Sequence, residues 1–280
     1  MIDCRTDVQF DRIQEFLMAI ITLTTDMGLR DYYVASVKAA ILRSMQEVQI
    51  IDISHDVEKF NISQAAFHIR NSFYEFPERT VHIIGVRPEL TTKNAHVIVS
   101  KDGQYLIGAD NGIFSFIFDS EPEEVFEITI NQDTDDMTFP TKDLFTKAAV
   151  HLAKGGTPEV IGRKTELKTR FNKLQAITDA SSIRGHVTHV DSYENVITNI
   201  SEEMFKEIGQ GREFQIHFRR EQLRKIHKTY NSVETGEAVA LFNSRRFLEI
   251  SFNQGSYHGA GGASTLFGLK VDDMIRIEFE

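Results

Sequence analysis

The sequence predicts two domains, a layered α/β domain followed by a small all-β barrel. In the first part of the chain, apolar strand-like runs alternate with helical patterns, which is typical of a Rossmann-like layered sheet. Later, short alternating strands follow one another between glycine, asparagine and serine turns, which is typical of a small barrel. The 280 residues are enough for two cores. We expect a peripheral extension at 1–17, the α/β domain at 18–176, a polar linker at 177–184 and the C-terminal barrel at 185–280.

The first domain opens with a β-branched strand at 20–25, and a helical run at 32–45 follows after a short turn. Apolar runs and helical spacing predict further elements in order: strand 48–53, helix 62–73, strand 81–86, the hairpin of 96–100 with 104–108, and helix 143–153. Gly155 and Gly156 stop this last helix. We therefore expect a largely parallel sheet covered by helices.

The second domain shows apolar residues at every second position of several short runs. These runs are 185–191, 214–218, 238–242, 247–251 and 274–279. Because side chains alternate across a strand, each run presents one apolar face. We expect these strands to close around a single core.

Charge and hydropathy exclude several partners. The net charge of -10 argues against nucleic acid, whose phosphates need a basic face. A basic cluster at 219–225 lies between acidic residues and is interpreted as solvated surface. The sequence contains no run of about 18 apolar residues, which is the length that a membrane helix needs. The N-terminus lacks the pattern of a secretory signal, so we expect a cytoplasmic protein without a membrane partner.

Cysteine and histidine content predicts no metal site. The one cysteine, Cys4, excludes an internal disulfide and a cysteine-based zinc site. The ten histidines show no zinc-binding spacing. His82 lies inside an apolar strand, so we expect it to be a core residue with satisfied hydrogen bonds.

Two carboxylates, Asp26 and Asp31, follow the first strand on either side of Gly28. In an open α/β sheet, ligands bind beyond the carboxyl ends of the strands. Both side chains would then project into the crevice, where they suit the hydroxyls of a sugar or a cation. The alternative is local: Asp31 serves as a helix N-cap and Asp26 as a turn former.

Three later motifs carry polar groups that suit a ligand. Asn195 lies in the loop 193–199, whose amides match the hydrogen-bonding edge of a base. Ser244 and Arg245 lie at a hairpin tip, where arginine suits a carboxylate. Asparagine-rich loops are usually turns, and hairpin arginines are usually solvated, so both alternatives stay open. The motif at 109–112 also reads as an ordinary turn.

Five motifs occur in an order and spacing that are hard to obtain by chance. They are Thr25-Asp26-Met27-Gly28-x-x-Asp31, Asp52-Ile53-Ser54-His55, Ala109-Asp110-Asn111-Gly112, Asn195-x-x-Thr198-Asn199, and Asn243-Ser244-Arg245 with Leu248-Glu249-Ile250. From about residue 18 to the C-terminus, the chain resembles the S-adenosyl-L-methionine (SAM) hydroxide adenosyltransferases, relatives of the bacterial SAM-dependent chlorinases and fluorinases. The resemblance implies no cofactor and a homotrimer, with each ligand between one subunit's first domain and a neighbour's barrel.

The resemblance also implies substrate-binding roles for residues of both domains. Asp26 would bind the ribose hydroxyls, and Asp31 would bind the methionine ammonium. Ser244 and Arg245 would hold the methionine carboxylate. Asn195 would contact the edge of the adenine or ribose, and Tyr230 would form an aromatic wall for the adenine. Asn253 is a weaker candidate for an adenine contact.

The implied reaction is in-line attack on C5′ of the adenosyl group. The sulfonium is already a good leaving group, so catalysis depends on positioning and on removing solvent from the nucleophile. With water as nucleophile, the products are adenosine and L-methionine. We expect this hydrolysis.

The chain departs from the family at the positions that handle water. Hydrolytic members carry Val-Asp-Pro-Gly-Val-Gly followed by an arginine, and later Phe-His-Gly-Arg-Asp. The aspartate falls on Arg87 here, the arginine on Asn94 and the histidine on Pro140. Possible substitutes are Glu89, Lys93 and Thr141. Two alternatives therefore stay open, a non-catalytic protein that binds SAM or adenosine, and a SAM-dependent halogenase.

Overall fold

The computed structural model describes residues 18–130, 138–255, 259 and 261–280. The predicted extension at 1–17 lies outside the described residues. The chain divides into two compact units between Arg170 and Phe171. This division falls before residue 176, where we expected the first domain to end, and each unit is built around a mixed sheet of its own.

The first unit contains a mixed sheet, whereas we expected a largely parallel one. Its strands are β1 (Ala19–Thr25), β2 (Val48–Ser54), β3 (Val81–Gly85), β4 (His96–Lys101), β5 (Gln104–Ala109), β6 (Glu124–Ile128) and β7 (Gly162–Thr165). Within the described residues they form one seven-stranded sheet in the order β2-β1-β3-β5-β4-β6-β7. The pairs β1–β2, β1–β3 and β3–β5 are parallel, and the remaining pairs are antiparallel.

Helices cover both faces of this sheet. They are α1 (Tyr33–Ser44), α2 (Ile62–Ser72), α3 (Ile113–Ile117), α4 (Thr146–Ala153) and α5 (Pro158–Ile161). Because strand side chains alternate, Ile83 packs in a cluster with α1 and α4, while Ile84 packs in a second cluster with α2 and α3. A π-helical turn at Thr141–Phe145 precedes α4, so the helix predicted from residue 143 starts in a wider turn.

The second unit contains a sheet that curls into a half-barrel. Its strands are β8 (Ile177–Thr178), β9 (Ser182–Val190), β10 (Val196–Ser201), β11 (Phe214–Phe218), β12 (Glu221–Leu223), β13 (Ile226–His227), β14 (Ala238–Phe242), β15 (Phe247–Phe252) and β16 (Met274–Phe279). In the described part of the chain the order is β12-β11-β16-β9-β10-β15-β14-β13, with β8 beside β9. Residues 177–184, predicted as a linker, therefore contribute β8 and the start of β9, because Ile177 pairs with Arg184.

The second unit also contains helices, which the all-β prediction did not include. They are α6 (Glu202–Gly209) and α7 (Ala263–Phe267). The side chain of Ser201 caps α6 by accepting a hydrogen bond from the Met204 amide at 3.1 Å. Phe205 anchors the helix, since its ring meets Phe214 edge-on at 4.9 Å between centroids. Over the described residues of both units, no helix combines the length and apolarity needed to cross a membrane.

The first sheet encloses a histidine with both ring nitrogens satisfied, as predicted. Thr22 Oγ1 donates to His82 Nδ1 at 2.7 Å, and His82 Nε2 donates to Gln104 Oε1 at 2.9 Å. Burial lowers the pKa of His82 to about 4, and the bond to Gln104 offsets only part of this shift. His82 is therefore a neutral element of the core.

The buried His82 makes stability depend on pH. An unfolded histidine binds its proton near pH 6.5, whereas folded His82 binds one only near pH 4. As pH falls from 6.5 to 4, the unfolded state is protonated before the folded state, so the free energy of unfolding decreases by about 3 kcal/mol. This contribution of His82 to stability is fully present above pH 6.5. We expect the gap in unfolding free energy between wild type and His82→Gln to shrink from pH 7 to pH 4.5. A gap that denaturant titration finds unchanged would contradict this.

Candidate active site

The parallel strands of the first unit bring polar side chains to one edge of the sheet, beyond their carboxyl ends. Such an edge is where open α/β sheets bind ligands. The polar residues buried there are Thr25, Asp26, His55, Asp110, Asn111 and, from the π-helical turn, Thr141. Buried polar groups need hydrogen-bond partners, so their partners indicate which of them remain available to a ligand.

Asp26 supports the loop that follows β2, and it is not a simple turn former. Its Oδ2 accepts a hydrogen bond from the Phe60 amide at 2.8 Å. Its backbone carbonyl accepts one from Lys59 Nζ. In the described part of the chain its second oxygen, Oδ1, makes no hydrogen bond, although the residue is only 8% exposed. One oxygen of a fixed carboxylate is thus available at the sheet edge.

Asp31 lies on the surface, just before α1. The N-cap of this helix is Tyr32, which makes no side-chain capping bond, so Asp31 does not cap it. Its neighbours in sequence are exposed as well, with Leu29 at 75% and Tyr32 at 67% exposure on either side of exposed Arg30 and Asp31. The structure therefore leaves the Asp31 carboxylate accessible on the surface.

Thr25 and His55 link the end of β1 to the end of β2. Thr25 Oγ1 lies 2.8 Å from His55 Nδ1. On the other side of the ring, Nε2 lies 3.0 Å from Asp52 Oδ1, but the geometry there is not that of a hydrogen bond, so among the described residues Nε2 has no hydrogen-bond partner. Lys38 Nζ donates to Asp52 Oδ2 at 2.6 Å. Burial raises the pKa of Asp52, but its contacts with Lys38 and His55 outweigh burial, so the pKa is lowered overall.

Thr141 packs directly onto Gly85 at the end of β3. A Cβ at position 85 would lie 2.8 Å from Thr141 Cγ2 and 3.1 Å from Thr25 Cγ2, so only glycine allows this approach. Thr141 is fully buried, and among the described residues its Oγ1 has no hydrogen-bond partner. An unpartnered buried hydroxyl beside the sheet edge is suited to holding a water molecule.

The loop between β3 and β4 contains two of the positions at which the chain departs from the family. Arg87 has a left-handed backbone with φ 46° and an exposed side chain. The Asn94 amide donates to Thr91 Oγ1 at 3.0 Å, which closes a turn. Glu89 and Lys93 are exposed. Pro140, the third such position, precedes the π-helical turn and has no N–H to donate.

The motif at 109–112 is held by backbone groups. Asp110 accepts amide hydrogens of Lys168 at 2.7 Å and Thr169 at 3.3 Å. Asn111 Nδ2 donates to the carbonyl of Arg87 at 3.0 Å. Both side chains therefore fix neighbouring loops, which agrees with the structural interpretation of this motif.

The second unit brings three of the predicted residues into one cavity. The cavity measures about 590 Å³ and is lined by Asp191, Tyr193, Asn195, Tyr230, Asn231, Ser251, Phe252, Asn253, Gln254 and Gly255. Asn195 donates from Nδ2 to Asp191 Oδ2 at 3.0 Å and accepts from Ser251 Oγ. Asn253 donates from Nδ2 to the Val233 carbonyl at 2.8 Å. Each amide retains further hydrogen-bonding capacity, as a base edge requires.

A buried carboxylate fixes the aromatic wall of this cavity. Tyr230 donates its hydroxyl hydrogen to Glu249 Oε1 at 2.6 Å. Burial raises the pKa of Glu249 despite hydrogen bonds from Tyr230 and Asn243, and the charge of Asp191 adds to the shift. Burial, together with Glu249, also raises the pKa of Tyr230. Tyr230 therefore keeps its proton at neutral pH and is held in one orientation.

Ser244 and Arg245 lie at the opposite end of β15 from Asn253, in the turn after β14. They do not line the 590 Å³ cavity. Ser244 is exposed, and the Arg245 amide donates to Asn243 Oδ1 at 3.0 Å. The structure places these two residues apart from Asn195 and Tyr230 within the second unit.

Three residues of these sites received no role from the sequence. Thr25 lies in the motif that contains Asp26, and His55 lies in the motif that begins at Asp52. The signal in the sequence is a histidine three residues after Asp52, at the end of a strand. Glu249 is the charged residue of β15, and it is buried together with its neighbours. In the sequence, its signal is a carboxylate between two apolar residues, Leu248 and Ile250.

Comparisons with known proteins identify the family. Residues 21–162 match the family model described as the SAM hydroxide adenosyltransferase N-terminal domain, and residues 185–276 match its C-terminal domain. A Methanocaldococcus jannaschii protein named (R)-S-adenosyl-L-methionine hydrolase is 27% identical, covering 85% of this chain and 90% of that protein. An Actinopolyspora mzabensis fluorinase is 24% identical, covering 85% and 91%.

A solved structure shares the fold. It is an uncharacterized conserved protein from Thermotoga maritima, with a TM-score of 0.83 and 29% identity, covering 92% of this chain and 99% of that one. The two family-model matches together span most of the chain. The chain belongs to the SAM hydroxide adenosyltransferase family.

Proposed function

We propose that this protein hydrolyses SAM at C5′ to give adenosine and L-methionine. The observation that carries the proposal is the buried Asp26 carboxylate, which keeps one oxygen available at the carboxyl edge of β1. Relatives named (R)-S-adenosyl-L-methionine hydrolase support it. In this proposal Asp26 accepts hydrogen bonds from the ribose hydroxyls of the substrate.

The charges of the candidate residues complement those of SAM. Asp31 is accessible and acidic, so we assign it to the methionine ammonium. Ser244 and Arg245 offer a hydroxyl and a guanidinium for the methionine carboxylate, but they lie at the opposite end of β15 from the cavity, so their assignment rests on the family resemblance. The cavity of the second unit suits the adenine, with contacts to Asn195, Tyr230 and Asn253.

Water attacks C5′ in line with the C–S bond, and the bonding electrons move to sulfur. This neutralises the sulfonium, so the proposed reaction uses no cofactor, no metal and no general acid on the leaving group. Thr141 is our candidate for holding the water, because its buried Oγ1 is unpartnered among the described residues. Glu89 is a weaker candidate because its side chain is exposed.

The second candidate function is binding of SAM or adenosine without turnover. The three positions at which the chain departs from the hydrolytic pattern favour it. Arg87 is exposed, Asn94 puts an uncharged side chain where the family has an arginine, and Pro140 has no polar side chain and no N–H. We rank hydrolysis first because the candidate substrate-binding residues are retained.

We also propose finer features of fold and assembly. The α-covered sheet of the first unit supports a Rossmann-like domain, and the curled sheet of the second supports a β-barrel.

We infer a homotrimer that binds the small-molecule substrate from the family resemblance. The acidic net charge argues against a nucleic-acid partner. Light scattering should give three times the 32.0 kDa of one chain, and the mass of a monomer would overturn the trimer.

Product identification tests the proposed function. We expect purified protein incubated with SAM to release adenosine and L-methionine, with or without chloride, as measured by liquid chromatography and mass spectrometry. A 5′-chloro product formed only with chloride would assign a halogenase. Tight calorimetric binding of SAM without any product would assign a binding protein.

The variant Asp26→Asn tests the carboxylate that carries the proposal. Asparagine still offers an oxygen to the Phe60 amide, so the fold is retained while the charge is lost. We expect kcat/KM to fall about 10- to 100-fold, the cost of one or two charge-assisted hydrogen bonds. Asp56→Asn, which changes an exposed carboxylate on the next loop, is the matched control and should leave kcat/KM unchanged.

A further inference from the structure

β1 carries two threonines that each contact the Nδ1 atom of a buried histidine. Thr22 lies 2.7 Å from His82 Nδ1, and Thr25 lies 2.8 Å from His55 Nδ1. The two pairs differ in what lies behind the ring. His82 meets the neutral amide of Gln104, whereas His55 meets the carboxylate of Asp52.

The charge of Asp52 sets the tautomer of His55. Lys38 Nζ lies 2.6 Å from Asp52 Oδ2, so Asp52 is ionised and can only accept hydrogen bonds. Nε2 makes no hydrogen bond among the described residues, but it lies 3.0 Å from Asp52 Oδ1, and an ionised carboxylate at that distance favours the neutral tautomer that carries its hydrogen on Nε2. Nδ1 is left as an acceptor, so the Thr25 hydroxyl donates its hydrogen to it. The backbone N–H of Met27 donates to Thr25 Oγ1 at 3.4 Å, so one of the two lone pairs of this oxygen remains for a donor at the sheet edge.

Exposure increases along this chain of groups. Thr25 is 1% exposed, and the side chain of His55 is 3% exposed. The side chains of Asp52 and Lys38 are 37% and 33% exposed. The groups therefore connect the buried edge, where Thr25 and Thr141 both pack around Gly85, to solvent.

We propose that Thr25, His55 and Asp52 form a proton-exit relay for the hydrolysis, an inference that rests on the proposed function. Attack forms the C5′–O bond as the C5′–S pair moves to sulfur, which leaves the attacking oxygen with one proton too many. That proton passes to Thr25 Oγ1 while the hydroxyl hydrogen of Thr25 passes to His55 Nδ1. The His55 ring then turns so that its Nε2–H, already 3.0 Å from Asp52 Oδ1, points at that oxygen, and the Nε2 hydrogen passes to Asp52, which releases one proton to solvent.

Lys38 and the backbone complete the arrangement. Lys38 keeps Asp52 charged before the proton arrives, because its ammonium contacts the oxygen that does not face His55. The His55 carbonyl accepts a hydrogen bond from the Gly28 amide at 2.7 Å, which ties the turn after β1 to the backbone of His55. The relay residues are thus fixed relative to Asp26, which starts that turn.

Nitrogen-15 NMR tests the hydrogen bonding of the relay without any need for activity. We expect His55 at pH 7.5 to be the neutral tautomer protonated on Nε2, with an Nδ1 resonance that moves in Thr25→Val. Thr22→Val, which removes the equivalent hydroxyl three residues earlier, should leave the His55 resonances in place. An imidazolium, or a ring protonated on Nδ1, would overturn the relay.

Kinetics test whether the relay serves turnover. We expect Thr25→Val, which keeps the side-chain shape, to lower kcat about 100-fold while KM stays within about twofold, because the loss is in proton transfer. Thr25→Ser should regain most of the lost rate, and His55→Gln should behave like Thr25→Val. Thr22→Val is the matched control and should keep wild-type kcat.

The outcomes separate the two proposals. If Thr25→Val keeps the wild-type turnover, the relay proposal is wrong and the hydrolysis proposal still stands. A wild-type protein that forms no adenosine removes the hydrolysis, and the relay with it, whatever tautomer the NMR spectrum shows.

Discussion

Parallel pairing of β1 with β2 and β3 is the constraint on which the candidate site depends. It puts the carboxyl ends of three strands at one edge, so Thr25 pairs with Gly85 and the turns after β1 and β2 meet. Asp26 then reaches the Phe60 amide, and Thr25 reaches His55, although each pair is at least thirty residues apart in sequence. A shift of β1 by one residue would exchange its buried faces and remove these contacts.

Hydrogen bonding decides which buried polar groups support the fold and which remain for chemistry. Asp110 and Asn111 are satisfied by backbone groups and fix loops. His82 is satisfied on both sides and remains neutral. Thr141 differs from them, because its buried Oγ1 has no partner among the described residues. A buried group without a partner is costly for folding, which is why it indicates a place for water or ligand.

The sequence predicts the local features well, because periodicity and turn residues act over short distances. The strand and helix around Asp26 were predicted within a residue, as β1 and α1 show. The role of His55 was not predicted, since it depends on contacts between strands. The π-helical turn and α6 were also missed. Ser201 and the acidic residues after it signal the start of α6. The helix has only eight residues, however, which is too short for a clear helical spacing of its apolar residues.

In the proposed reaction, the oxygen that attacks C5′ of SAM comes from water. Turnover in water enriched in oxygen-18, followed by mass spectrometry of both products, tests it most directly. We expect one labelled oxygen in adenosine, on the 5′-hydroxyl, and none in L-methionine. Unlabelled adenosine, or label in the amino-acid product, would contradict it.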